Sequence, residues 1–359
     1  MRFALTSDQA ALRAAVRDLL RAECPPAAVR AGWPGTPDAD GGRVRGIWAE
    51  LAEMGVPGAA VPEAAGGLGL DACDLVGMLE ECGRAALPLP VVETVFVAGP
   101  LLAAAGGHEP LLERLTAGDL LAGAALDGGS LVPYASVADV LLLGDAREAR
   151  SIAGRGDQQS TAADGELRLV EAPAFEPVAS VDGARAPGRV ADAATAGVAL
   201  DADPADVAAA WNRGALGTAA QLVGLARTLL AMATEYAQER RQFGVAIGTF
   251  QAVKHQLANA LLAVEFAAPA VLRAAWSLDT GAPSADRDVA MAKALASDAA
   301  ERVAAVALQA HGAIAYTTEY DLHLFAKRVW ATSRTWGDAD WQRARVAAAL
   351  GLTEAGATR

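Results

Sequence analysis

Residues 239–258 read ERRQFGVAIGTFQAVKHQLA. They set two arginines, three glutamines, a histidine and two phenylalanines around two glycines, in a chain otherwise dominated by alanine. Upstream the helical period is clear, with Leu216, Ala219, Val223, Ala226, Leu230, Ala233 and Ala237 on one stripe. The period resumes at Gln251 and runs toward Thr280, so the quoted stretch is a helix end, a loop and the next helix start. Hydrogen-bond donors and flat rings are thus gathered at one end of a helix pair. Pro269 lies inside the second helix, where it removes a backbone bond and crowds the preceding turn at a cost of about 3 kcal/mol unless the helix bends; a kink is expected there. A third helix follows Ser284, whose hydroxyl can cap it. Asp286 and Asp288 sit near the positive end of that helix, and it stops at Gly312. Residues 319–350 hold two shorter helices broken near Gly337. Three or four long helices with short links indicate a bundle.

The N-terminal part is helical as well. Residues 5–23 form an amphipathic helix with Thr6 or Ser7 as N-cap, Leu12, Val16, Leu19 and Leu20 on one face, and Pro25 and Pro26 as its stop. A polar, Gly-rich loop (31–43) leads to a helical Ile47 to Met54 and a turn at VPEAAGGLGL (61–70). Helix follows from about Asp71 to Gly83, and more to about Ala117. Between the two helical regions the texture changes. VADVLLLGD (137–145), GELRLVEA (165–172) and GRVADAATAGVAL (188–200) are short apolar runs divided by Gly, Pro and Asp, the pattern of small antiparallel strands. The expected fold is mainly α with a small β domain: an N-terminal helical domain at 1–118, a reduced β domain at 119–203 and a C-terminal four-helix bundle at 204–359.

Bulk properties narrow the function. A chain of 359 residues has ample apolar surface to bury, and its net charge of −13 offers no basic face to a phosphate backbone, so nucleic acid is excluded as a partner. Cys24, Cys73 and Cys82 form no CxxC pair, and an odd count cannot close a complete disulfide framework, which fits a reducing cytoplasm. Asp8, Arg13 and Arg17 interrupt what would have to be an unbroken apolar stretch in a leader, and no later run of 18 apolar residues follows, so no membrane is expected. His255 has no second histidine or carboxylate at metal-ligand spacing; it reads as a packed helix residue, and no metal is expected. His311 and His323 read as structural, and Trp336 and Trp341 as core or interface packing ahead of cleft lining. GGLGL (66–70) is not GxGxxG and follows no strand, so it is a turn.

YAQERRQFGVAIGTFQAVKHQLA (236–258) resembles the junction between the first two bundle helices of acyl-CoA dehydrogenases, flavoenzymes that oxidise acyl thioesters between Cα and Cβ. GLARTLLAMATEYA (224–237) resembles the preceding helix of that family, LQAHGAIAYTTEYDLHLFAKRVW (308–330) its third and fourth, and LAEMGVPGAAVPEAAGGLGL (51–70) its front end. The resemblance implies a barrel-like middle domain and FAD at a subunit interface, where this junction grips the ADP half of a flavin seated in the neighbouring subunit. By position Arg240, Gln242, Phe243, Phe250 and Gln251 match that motif, and Gln309 and Gly312 match the second contact. Ala313 stands where a glycine is usual. The chemistry suits the task, because an Arg fork holds a diphosphate while amide and aromatic groups read adenosine.

The family's base is a glutamate preceding a glycine in the loop before the last helix. Here RTWGDADWQR (334–343) puts Trp336 in that place, and an indole cannot accept the Cα proton. The alternative site near the start of the first bundle helix reads WNRGALG (211–217), with Gly214 as the match. Asp338 and Asp340 are near the usual base but suit a helix cap better. No residue is therefore assigned as catalytic. GAALDGGSLVPYASVAD (123–139) lacks the family's Thr-Glu-Pro signature and flavin-covering aromatic, and on the order of twenty residues of wall are missing around it. These features resemble the degenerate subunit of α2β2 actinobacterial steroid-CoA dehydrogenases, whose homologous partner carries the catalytic Glu and acts on an acyl-CoA substrate. Two other readings stand beside it: a homo-oligomeric binding or scaffold protein without redox chemistry, and a self-sufficient tailoring dehydrogenase using an unusual base such as Asp338.

Overall fold

The structure, a computed structural model, describes residues 3–144, 167–193 and 195–352. The last residue of VADVLLLGD, the first two of GELRLVEA and Ala194 lie outside the described residues. Helix α1 (Ser7–Glu23) opens on a reciprocal cap: the Thr6 hydroxyl accepts the Gln9 N–H, and the Gln9 side chain accepts the Thr6 N–H. Cys24 closes it, and Pro26 then occupies the first position of α2 (Pro26–Ala31), where its missing N–H costs nothing. Helix α3 (Gly41–Glu53) begins earlier than the apolar pattern suggested, because the Asp40 carboxylate accepts the Arg43 N–H. Then come α4 (Ala72–Arg84), a π-helical segment at Val92–Ala98, α5 (Gly99–Ala105) and α6 (Glu109–Thr116).

The middle strands are β1 (Ala122–Ala125), β2 (Leu131–Val132), β3 (Val140–Leu143), β4 (Arg168–Glu171), β5 (Phe175–Pro177), β6 (Gly188–Val190) and β7 (Val198–Ala199). Among the described residues they form two sheets, of order β1-β3-β4-β7 and β2-β6-β5. One pair corrects the all-antiparallel expectation: β1 and β3 are parallel, Ala122 facing Val140, because the intervening chain leaves the first sheet to place β2 in the second. Both strands are buried along their whole length, which explains why VLLL is continuous rather than alternating. Thr94 ties β1 to the π-helical segment, its hydroxyl donating to Ala122 O and accepting from Ala122 N, each at 3.0 Å.

The bundle consists of α7 (Pro204–Glu239), α8 (Gln251–Asp279), α9 (Ala285–His311), α10 (Leu322–Thr332) and α11 (Ala339–Ala349). Helix α8 continues through Pro269. Ser284 does not cap α9 with its side chain; its hydroxyl donates to the buried Asp288 carboxylate at 2.9 Å. Burial opposes the charge on Asp288, but hydrogen bonds from Ser277, Ser284, Arg287 and Arg273 outweigh it and hold the carboxyl below its ordinary range. Both α7 and α8 are long and apolar enough by composition to cross a membrane, yet they differ in burial. The apolar window of α7 is 72% buried at the centre of the bundle, whereas that of α8 is 28% buried.

Helix α7 carries the rest of the molecule on a face of small residues. A Cβ on Gly224 would lie 2.0 Å from Glu80 O, and one on Gly83 2.1 Å from Gln221 O, so the backbones of α4 and α7 touch. The Thr228 hydroxyl donates to Arg84 O across the same seam at 2.9 Å. Alanine is the better helix former by about 1 kcal/mol, but overpacking at a backbone contact costs roughly 1–3 kcal/mol and here has no flexible side chain to displace. Gly224→Ala is therefore expected to lower the melting temperature in calorimetry by several degrees, and a variant as stable as the parent would show that this seam can open without cost.

Candidate functional site

Immediately after α7 the chain turns back on itself in a hairpin, β8 (Arg241–Gln242) against β9 (Val245–Ala246). Its two turn residues are Phe243 and Gly244, with φ of 53° and 81°. Positive φ at both positions is what a two-residue hairpin with matching twist requires, and a bulky L-residue there costs on the order of 1–2 kcal/mol. The strain holds the Phe243 ring in solvent at 92% exposure, edge-on to Phe250 at 6.2 Å. Arg240, Gln242 and Gln251 are exposed around it and form no side-chain hydrogen bond or ion pair among the described residues. Gln251 is the first residue of α8, and Phe250 before it supplies no capping side chain, so the first N–H groups of that helix are open to an anion.

The second pair of expected residues lies at the same end of the bundle. Helix α9 stops at His311, and Gly312 follows with φ 67° and ψ −141°, exposed, with nothing within 4 Å of where a Cβ would be. Gln309 is exposed one turn before. An aromatic clamp of two half-buried tyrosines around the buried His311 fixes the two helix ends to each other. Tyr236 stacks on His311 at 4.3 Å; His311 Nδ1 meets Ala307 O at 2.8 Å, so Nε2 accepts from the Tyr320 hydroxyl at 3.0 Å. Burial lowers the His311 pKa, consistent with that neutral form. Arg240 N–H donates to Tyr236 O at 2.8 Å, which places the hairpin directly beyond the clamp. All seven residues expected to contact a cofactor therefore share one exposed bundle end. His323 is buried against the edge of Trp33 and is structural like His311. His255 corrects the expectation of packing, since it is exposed on α8.

A second region lies where the strands meet the bundle. A cavity of about 390 Å³ is walled by Trp211, Trp330 and Trp336, with Arg185 and Arg334 among its polar lining. Trp336 occupies the loop between α10 and α11 with φ of 57°, is 5% exposed, and meets Trp211 edge-on at 5.3 Å. A Cβ on Gly214 would lie 2.5 Å from its ring. The two positions at which a base was sought thus face each other, and one indole fills the space between them. The two acids that next follow Trp336 in the sequence are already engaged. Asp338 accepts the Trp341 N–H at 2.8 Å as the cap of α11, and Asp340 pairs with Arg343 at 2.6 Å. Trp341 packs against Trp211 at 5.5 Å.

Two buried groups beneath this loop are not visible in the sequence pattern. Lys293 is fully buried in α9, and its ammonium donates to Ser297 Oγ, Ser333 O and Gly337 O at 3.0, 2.9 and 3.1 Å, clamping both ends of the loop that presents Trp336. Burial pulls its pKa down to about 7, against the opposing pull of Asp338 and Glu301. Glu93, on the π-helical segment, is buried too; burial raises its pKa, and Arg185 is the main opposing charge. Its carboxyl lies near the Trp336 indole N–H, which finds no partner within hydrogen-bond geometry. Only the burial of their neighbours in three dimensions marks either residue.

The depressed Lys293 pKa has a definite sign. Between about pH 7 and the ordinary lysine range the unfolded chain holds a proton that the folded chain has released, so stability rises with pH across that window and is flat below it. Lys293→Met removes this dependence. Urea unfolding at pH 7.5 and 9.5 should show the parent gaining on the variant by up to about 1.4 kcal/mol per pH unit; an unchanged difference would mean that the lysine stays charged throughout.

Comparison with known proteins follows the same division of the chain. Residues 206–351 match the family described as acyl-CoA dehydrogenase, C-terminal domain, and residues 6–113 match its N-terminal domain. The acyl-CoA dehydrogenase IpdE2 of Mycobacterium tuberculosis is 32% identical over 318 residues, covering 88% of this chain and 89% of the relative. Among solved structures, the ChsE4–ChsE5 complex from Mycobacterium tuberculosis superposes with a TM-score of 0.81 at 25% identity, covering 99% of this chain and 100% of the matched one. A steroid ACAD variant, Tcur3481–Tcur3483, gives 0.80 at 25% identity, covering 96% and 97%. With its helical front, small strand region and carboxy-terminal bundle matched in order, the chain belongs to the acyl-CoA dehydrogenase family, whose cofactor is FAD.

Proposed function

We propose that this chain is the subunit without a base in a heteromeric, FAD-dependent acyl-CoA dehydrogenase, an α2β2 assembly with a homologue that carries the catalytic Glu. One observation carries the reading: Trp336 against Gly214 leaves no proton acceptor at either position, while the side chains of Arg240, Gln242 and Gln251 at the hairpin end are exposed and unpaired among the described residues. FAD, when bound, supplies the hydride acceptor for oxidation of the Cα–Cβ bond. The Arg240 guanidinium would hold the diphosphate of a flavin seated in the partner, the open N-terminus of α8 would add to its stabilisation, and Gln242, Phe243, Phe250 and Gln251 would read the adenosine. Gln309 and Gly312 would form the second contact, the glycine allowing close backbone approach.

The exposed face of α8 supports a protein partner. Leu261, Leu262 and Phe266 point outward there, Phe266 at 73% exposure, and Met291 and Leu295 are exposed on α9. A homologous bundle covers such a face without a bilayer, and a cytoplasmic site of action is consistent with that. The ChsE4–ChsE5 complex and the paired Tcur3481–Tcur3483 support heteromeric assembly, and the latter, a steroid ACAD, supports a bulky, steroid side-chain acyl-CoA as substrate. The cavity walled by three indoles provides apolar breadth in the same direction.

Production of the chain alone and together with a homologue bearing an intact glutamate tests the proposal through bound FAD and turnover. One FAD for each pair of unlike chains, and a colourless, inactive chain when alone, is the expected result; a yellow, active protein from this chain alone would sink the reading. Arg240→Ala should weaken FAD retention by the complex about tenfold or more, the scale of a lost charge-assisted bond, while gel filtration still shows assembly. Unchanged occupancy would leave the hairpin a purely structural element.

A further inference from the structure

The ends of α1, α4 and α10 and the middle of α7 enclose a cavity of about 440 Å³ that shares no lining residue with the tryptophan-walled cavity or with the hairpin end. Its wall is positive in a chain whose formal net charge is −13. Arg13, Arg17 and Arg21 stand on successive turns along one face of α1, and Arg84 faces them from the last turn of α4. The one carboxylate in the lining is Glu81, held by Arg13 at 2.7 Å. Glu80, behind it, lies 2.8 Å from Arg13, 3.3 Å from Arg84 and 3.4 Å from Arg227. Arg227 also reaches the exposed Glu265 at 3.5 Å, so the carboxylates behind the wall are already shared among Arg13, Arg84 and Arg227, and the unshared positive charge of the cavity is that of Arg17 and Arg21. Arg21 has no ion pair among the described residues, and Arg17 has only its exposed sequence neighbour Asp18, at 3.5 Å.

A second observation points to a ligand. Arg84 Nε is buried and has no hydrogen-bond partner, its nearest carboxylate oxygen on Glu81 being 3.5 Å away. Nε itself is occluded, so an incoming anion would meet the Arg84 fork at its terminal nitrogens, in competition with Glu80 at 3.3 Å. The apolar floor, with Leu20 and Phe325 both buried, adds room for a body attached to that anion. Several forks on opposite walls suit a tetrahedral, multiply charged group that accepts from more than one at once, whereas a single carboxylate satisfies one fork.

We propose that this cavity binds a phosphate-bearing small molecule, with Arg17, Arg21 and Arg84 as its anion contacts. The site is independent of the proposed flavin contact. Calorimetric titration of the full chain, alone and in complex with its partner, with inorganic pyrophosphate and with ADP tests it. Saturable binding at one site per chain is expected, weakened by about tenfold or more in Arg17→Gln/Arg21→Gln. Arg302→Glu, exposed on α9 and equal in net charge change, should alter affinity by less than about twofold, which separates the site from general screening. Binding must persist in Arg240→Ala, so that ADP captured at the hairpin end is not mistaken for occupancy here. ADP binding more tightly than pyrophosphate identifies a phosphate ester with a ring body, and equal affinities identify the anionic head alone; either upholds the site. Absence of saturable binding by both probes, equal loss in the two charge variants, or loss in Arg240→Ala overturns it.

Discussion

The small-residue face of α7 is the constraint on which the rest of the molecule depends. Gly214 receives the Trp336 ring, Gly217 receives Val92 and Phe96 of the π-helical segment, and Gly224 receives the backbone of α4. Side chains at these positions would push three separate elements away from one helix. The N-terminal helices, the strand region hung on Thr94 and the loop after α10 are all positioned through that helix. Its burial in the bundle supplies the apolar contact, and the glycines set the distances. Fold and site consequently share a single cause: the glycine that allows Trp336 to close the cavity belongs to the same series that brings α4 onto the bundle.

Polar groups divide into two sets with opposite treatment. Inside the molecule, charges are buried with specific partners: Lys293 with three acceptors, Asp288 with serines and arginines, and Arg328 with Asp182 and Leu87 O through Nε and Nη1, its Nη2 alone lacking a partner. Such groups are costly to desolvate, and a network with its partners in place fixes geometry rather than adding much stability. At the hairpin end the reverse holds, since donors and aromatic rings face solvent and the backbone is strained to keep them there. Strain of that kind persists where the surrounding structure holds it, here the β8–β9 pairing on either side of the turn. The contrast separates a buried, internally paired platform from an exposed bundle end.

Much of this was legible in the sequence, and the remainder was not for identifiable reasons. The stripe from Leu216 to Ala237, the cap at Thr6, the stop at Gly312 and the break at Gly337 are local signals, and each stands where periodicity or capping chemistry put it. The seven residues expected to contact a cofactor were read by resemblance from two stretches, 240–251 and 309–312, and the structure gathers them at one bundle end. Strand direction failed at β1 and β3 because pairing across a crossover leaves no local trace. His255 was read as packed because an apolar helix of small residues offers no polar face by which to tell inside from outside; exposure of α8 depends on what covers it. Lys293, Glu93 and the arginine-lined cavity depend on elements far apart in sequence, and periodicity carries no information about such meetings.

Trp336, at the position where the resemblance places a base, is more than the omission of one side chain. The indole fills volume between Trp211 and Gly214, and it sits on a loop whose ends Lys293 holds and whose Trp336 carbonyl accepts from the buried Gln342 side chain at 2.7 Å. A glutamate in its place would leave part of that volume empty, at a cost of a few kcal/mol for a lost large aromatic. Its carboxylate would also stand near Glu93, already buried and raised in pKa, where a second negative charge is disfavoured. The surroundings have thus adapted to an uncharged, bulky occupant, and restoring proton transfer would require changes at several positions together. This interdependence accounts for the absence of an acid at either expected place better than a single recent substitution does.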